Sequence, residues 1–281
     1  MYTAEECYYR QIISMESIME DVEIFLSRLA AEDKLYAETA KKLGDADIKD
    51  RFSLAGAIAE KGSPASYKVY VSNEDIVNET VDEIKAVFTE AAEEDSEIKV
   101  EFIVDEFLNL IDDKARITAD SKPRTLVHRD GELHPTVHIW MIKRRDGGIF
   151  VLLQKRSHEK DINPDCYDVS AAGHVSQGEE FRHTALKEVH EELGLDIDRS
   201  KLEFIGLKKA EYTKGDIHDN ELVAVYICRE HIEIEDLTLQ SSEVSEVCWA
   251  EIDELLSVMK YEDIPNCISL EELDMIKKAV F

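Results

Sequence analysis

Residues 173–195 read GHVSQGEEFRHTALKEVHEELGL. From residue 184 to residue 193 good helix formers predominate, and neither Gly nor Pro interrupts them. On the helix this predicts, Glu188 meets Glu191 at i+3 and Glu192 at i+4, so three carboxylates crowd one face. Leu186, Val189 and Leu193 recur at core spacing on another face. Like charges at that spacing destabilise a bare helix, so the cluster asks for a compensating cation. A hard, oxygen-seeking ion is the simplest candidate, and Mg²⁺ (or Mn²⁺) suits a site where phosphates supply the other ligands.

Gly173, Glu179, Glu188, Val189, Glu191, Glu192, Gly194 and Leu195 fall on the pattern G-x5-E-x7-R-E-U-x-E-E-x-G-U, U being a bulky aliphatic residue. The segment resembles the Nudix box, departing from it where Lys187 replaces the arginine. A solvated acidic helix is the plainer reading, but it does not require two glycines and an apolar residue in register. The likeness extends over residues 126–259. There HRDGELHPTVHIW, LLQKRS and CYDVSAAGH resemble the branch of Nudix proteins closest to type I isopentenyl-diphosphate isomerase, a branch holding both hydrolases and isomerases.

That resemblance implies roles position by position. Glu191 and Glu192 would ligate metal, Glu188 would be a ligand or base, and the carbonyl of Ala172 would add an oxygen. Glu179 would orient the loop or a metal-bound water. Lys187 would stand in for the arginine that clamps the glutamates, keeping its charge but not its planar fork. In HDNELVAVY, residues 218–226, Glu221 is the first candidate for a further carboxylate and Asp219 the second, as metal ligand or general base. Arg156 and Lys160 match positions that contact diphosphate in the isomerase relatives, against the plainer reading of a solvated face. His174 and His134 match two isomerase metal positions, and His128 lies one residue out of step with a third. Only the resemblance makes these histidines metal ligands, since a lone histidine beside a strand is more often hydrogen-bonded structure.

Composition narrows the partners. The 281 residues carry a net charge of −29 with 44% hydrophobic residues, enough for a core and too acidic to favour a nucleic-acid duplex or an anionic membrane. A small diphosphate substrate stays compatible, because metal ions and local cations reverse the field inside a cleft. The five cysteines show no C-x-x-C spacing, which argues for a reducing, cytoplasmic setting. No signal-peptide pattern or membrane-length apolar run is evident.

Texture divides the chain near Pro123. Residues 1–122 read as a mostly α-helical N-terminal domain. Helical spacing runs from Ile12 to Leu29, an Ala- and Lys-rich piece ends near Gly44, and further helices are expected over residues 48–60, 73–92 and 98–111, the last preferred to a strand over VEFIV. Residues 67–71, YKVYV, alternate like a strand. This domain resembles no family and could cap the substrate or form a homodimer. Residues 123–281 read as the Nudix domain, an α/β sandwich with a mixed sheet between helices. Strands are expected at 135–142, 149–153, 202–208, 222–228 and 247–250, and closing helices at 252–259 and 270–280.

The leading functional reading is a metal-dependent hydrolase of a nucleoside diphosphate linked to another group. An isopentenyl-diphosphate isomerase is disfavoured, because Ala171 and Ala172 stand where its relatives carry a cysteine just before His174. A non-catalytic Nudix binding module is the third reading, and the complete set of carboxylates argues against it.

Overall fold

The structure is a computed structural model and describes residues 57–61, 66–72, 99–112, 116–160, 162–215, 217–261 and 264–280. Strands β1 (Ala57–Lys61), β2 (Ser66–Ser72) and β3 (Lys99–Asp105) form one sheet, β2 at its centre. The strand expected at residues 67–71 is β2. The helix expected over 98–111 is corrected to β3 and then β4 (Phe107–Ile111), and that expected over 48–60 is corrected at residues 57–60, which belong to β1, while 48–56 lie outside the described residues. The helix-like spacing of Phe102, Val104, Phe107, Leu108 and Ile111 runs across Glu106, where one strand stops and the next begins. The helices expected at 12–29, in the piece ending near Gly44 and at 73–92 lie outside the described residues, as does any dimer contact they would make.

β4 pairs with β5 (Ile117–Pro123) in an antiparallel hairpin. Ile111 and Ile117 of this hairpin are buried in the same core as the box helix, so that core draws on residues both before and after position 122. α1 (Arg124–Asp130) ends at Gly131, whose φ of +68° is the left-handed cap that glycine tolerates without strain. The chain then enters the main sheet.

That sheet is built from β6 (His134–Arg145), β7 (Gly148–Arg156), β8 (Tyr167–Asp168), β9 (Ala171–His174), β10 (Leu202–Lys214), β11 (Ile217–Cys228) and β12 (Val244–Glu251). Its order is β10-β11-β6-β7-β12, with β8 on β7 and β9 on β6. β11 runs parallel to β6 and the other pairings are antiparallel, so the sheet is mixed. The β6–β7 turn has φ of +52° at Asp146 and +84° at Gly147, the pair of positive φ values that an Asp-Gly two-residue hairpin supplies.

Strand alternation makes two cores. Val137, Ile139 and Met141 of β6 join α2 (Phe181–Leu193) on one face. Trp140 and Ile142 join α3 (Ile252–Tyr261) and α4 (Leu270–Val280) on the other. The result is the expected α/β sandwich. β10 and β11 run further than their apolar stretches, because the ladder is made by backbone and continues through the polar pairs Glu211–Asn220 and Tyr212–Asp219. Among the described residues no helix is long and apolar enough to cross a membrane.

Candidate active site

α2 presents its carboxylates unequally. Glu192 is 6% exposed, and its Oε2 accepts from the Ala172 N–H at 3.2 Å and from Gln154 Nε2 at 3.3 Å. Glu188 lies over Gly173, so closely that a Cβ there would sit 2.3 Å from its carboxylate carbon. Glu191 is exposed. Burial pushes the Glu188 carboxyl up to about 8 and that of Glu192 well above the usual range, each raised further by neighbouring carboxylates. A buried Glu192 beside a half-buried Glu188 gives up its charge unless a cation stands near. Of Ala172, the group that meets the box helix is the N–H.

Glu179 and Lys187 find each other at 3.2 Å, and Thr184 Oγ1 donates to the same carboxylate at 2.8 Å. The lysine thus ties the loop before the helix to the helix itself. The loop is held from the other side by Asn109 of β4, whose Nδ2 donates to the Ser176 carbonyl at 2.9 Å and the Glu179 carbonyl at 3.2 Å. Gly194 closes α2 with φ +72°, its N–H on the His190 carbonyl and the Leu195 N–H on that of Val189.

A second group assembles from four elements. His128 on α1, His134 at the start of β6 and His174 at the end of β9 have ring centroids 5.1 to 5.3 Å apart. Asp219 and Glu221 of β11 join them, with Asp219 Oδ1 at 3.4 Å from His134 Nε2 and Glu221 Oε1 at 4.0 Å from His174 Nε2. The ligand atoms of His128, His134 and His174, and likewise of His134, Asp219 and Glu221, all lie within 4.8 Å of one another.

The three Nε2 atoms and Asp219 Oδ1 are buried without a hydrogen-bond partner. The Glu132 carbonyl at 2.9 Å from His134 Nδ1 selects the tautomer whose Nε2 lone pair faces the group. Burial pushes His128 down to about 4 and His174 well below its usual value, so both rings are neutral, the form that ligates metal. At His134 burial works the same way, but Asp219 and the Glu132 carbonyl outweigh it and raise the ring. Burial and the neighbouring Asp219 push Glu221 up to about 7. Orphaned, convergent donors of this kind fit a divalent ion. Three imidazoles with carboxylates suit a borderline first-row metal better than Mg²⁺.

Arg156 and Lys160 are already engaged. The Arg156 guanidinium donates to the carbonyls of Ile162 and Asn163 and to Asp168 at 3.1 Å, and Lys160 pairs with Glu243. Residues that spacing does not single out also stand here. Gln154 holds Glu192, Asn109 holds the box loop, and Arg124, at the start of α1, disfavours protonation of His174. A polar residue closing the apolar run of β7, just before Lys155 and Arg156, is the signal that marks Gln154 in LLQKRS.

The model of the NUDIX domain matches residues 132–268. An uncharacterized Nudix hydrolase of Clostridium acetobutylicum is 40% identical over 151 residues, covering 54% of this chain and 72% of that protein. Nudix hydrolase 3 of Arabidopsis thaliana is 34% identical over 165 residues, 57% of this chain but 21% of that longer protein. Among solved structures, one from Deinococcus radiodurans aligns with a TM-score of 0.45 at 19% identity, over 61% of this chain and 98% of that one. With the box carboxylates packed on β9 inside a mixed sheet, and a relative this similar over most of its own length, the chain belongs to the Nudix hydrolase family.

Proposed function

We propose that this enzyme hydrolyses the diphosphate bond of a nucleoside diphosphate linked to another group, with Mg²⁺ or Mn²⁺ at the box glutamates. The observation that carries this is the packing of Glu188 and Glu192 against Gly173 and Ala172, a half-buried and a buried carboxylate whose charges a cation would hold. A divalent ion there supplies charge neutralisation on the phosphoryl oxygens. Glu188 and Glu192 hold it, Glu191 completes the set from the exposed side, and Lys187 with Glu179 keeps the loop and helix in register. Glu221, whose carboxyl burial pushes up to about 7, is the candidate base, and it would serve a diphosphate that also reaches the histidine centre. His128, His134, His174, Asp219 and Glu221 form a second centre on the other side of β9. Arg156 and Lys160 shape the loop after β7 and reach phosphate only by exchanging their present partners.

On this reading the hydrolase unit begins near Glu106, since β4 and β5 brace the box loop. The protein works in the cytoplasm, on a free small molecule. Isomerase chemistry stays disfavoured: Ala172, opposite His138 in the ladder, offers no thiol.

The test is turnover of nucleotide sugars, ADP-ribose, dinucleoside polyphosphates and CDP-alcohols in heavy-oxygen water, with and without EDTA. Label in a phosphate product that vanishes with chelation supports the reading. No cleavage by folded, metal-loaded protein sinks it, and a dimethylallyl product from isopentenyl diphosphate would transfer the assignment to the isomerase.

A further inference from the structure

On the face of the sheet that carries α3 and α4 lies a charged group that the proposed hydrolysis does not use. Glu272 of α4 is fully buried, and its carboxylate accepts from Trp140 Nε1 at 2.7 Å, from Lys208 Nζ at 2.9 Å and from His138 Nδ1 at 2.9 Å. Burial pushes His138 down, yet the charge and hydrogen bond of Glu272 outweigh it and raise the ring to about 9. Burial also pushes Glu272 up, and His138 with Lys208 outweighs that, bringing it to about 2. Two cations against one anion leave surplus positive charge in a chain of net charge −29. The plainer reading is a structural tie between α4 and the sheet. Buried ion groups contribute little net stability compared with apolar packing, however.

Position argues for more. In the β6–β9 ladder His138 stands opposite Ala172, and Thr136 stands opposite His174. His138 and His174 are therefore diagonal neighbours on one face, about 7–8 Å apart. Thr136 lies between them on β6, 2% exposed, and its Oγ1 has no partner. The His138 side chain remains 17% exposed. Its Nδ1 is spent on Glu272, while Nε2 has no partner among the described residues.

We propose that His138 is a further substrate-contacting residue: anchored through Nδ1 by Glu272, it presents Nε2–H to a phosphoryl oxygen of the diphosphate bound beside His174. A protonated imidazole donates through both nitrogens, so one ring can hold Glu272 and an anion together. Lys208 and Trp140 fix the carboxylate and act as positioning residues. The inference rests on the hydrolase reading above.

The experiment uses the full chain, Mn²⁺ and α,β-methylene-ADP, a diphosphate that water cannot split. Calorimetry compares wild type with His138→Gln, which keeps a donor for Glu272 but has no second one opposite. The expected result is binding weakened roughly tenfold, with the affinity for Mn²⁺ alone unchanged and the melting temperature lowered by the loss of one partner of Glu272. In ¹⁵N-histidine wild type, the Nε2 resonance of His138 should move when the nucleotide is added. That measurement decides alone if the variant does not fold. Equal affinity in the variant, a stationary resonance, or loss of Mn²⁺ affinity overturns the inference while wild-type turnover keeps the hydrolase reading standing. Wild type that neither binds the analogue nor cleaves any substrate of the panel overturns both.

Discussion

Two acidic centres lie back to back across β9, and they differ in how they are made. Gly173 faces α2 and takes the Glu188 carboxylate, while the next residue, His174, faces the other way into the histidine group. The glutamates come from one helix turn, so residue spacing places them. The histidine group draws on α1, β6, β9 and β11, from His128 to Glu221, and exists only because the parallel pairing sets Glu221 beside His134. The first centre is all oxygen, and the second mixes imidazole with carboxylate. Under the proposed function the two would be metal environments of different hardness.

Disabling one centre at a time tests whether they are separate. Glu192→Gln should cut turnover about a thousandfold, the scale for losing a major electrostatic stabiliser, with the fold intact by circular dichroism. Turnover within a few-fold of wild type would remove the box from the chemistry. Asp219→Asn should weaken Mn²⁺ binding about 10–100-fold at the histidine centre, measured by calorimetry, and Glu192→Gln should leave that isotherm in place. If Glu192→Gln strips both sites, they are one centre.

The two box glycines separate chemistry from stability. At Gly173 the atoms nearest an added Cβ belong to the Glu188 side chain, at 2.3 Å, so Gly173→Ala should move that carboxylate and lower kcat roughly tenfold with little change in melting temperature. At Gly194 φ is +72° and the added Cβ would lie 2.7 Å from Thr238 Cβ and 2.9 Å from its carbonyl oxygen. Gly194→Ala should cost about 1–3 kcal/mol of stability while the surviving folded protein keeps its kcat. The reverse pattern would exchange the two roles.

The smallest expected effect is a pH dependence on the α4 side. Glu272, held down to about 2, contributes stability that is present above its unfolded value and lost as pH falls toward 2. His138, raised to about 9, contributes stability that is complete below its unfolded value and lost as pH rises through 9. The melting temperature should therefore form a plateau between about pH 4.5 and 6.5. Glu272→Gln should remove both shoulders, and a profile unchanged by that substitution would detach them from this group.

Much of the Nudix half is legible in the sequence because its signals are local. The Asp146-Gly147 turn, the β6 and β7 runs and the closing helices follow from periodicity and turn chemistry. The region before Pro123 misleads for the same reason. VEFIV and FLNLI mimic helical spacing when joined, and only pairing with β2 and β5 shows them as two strands. The family resemblance ranks Glu221 above Asp219, and the fold brings both to His134, with Asp219 Oδ1 buried and unpartnered.

The box helix is written in the chain itself: its periodicity, the glycine that ends it, and the clustering of glutamates that asks for a cation. Those are properties of sequence neighbours, set by 3.6 residues per turn. Folding supplies the rest. It buries Glu192 and leaves Glu191 in solvent, commits Arg156 to loop carbonyls, and gathers His128, His134, His174, Asp219 and Glu221. Burial and cross-strand adjacency depend on which strands pair and which face a helix covers. Both come from the topology of the whole sheet, and no local spacing carries them.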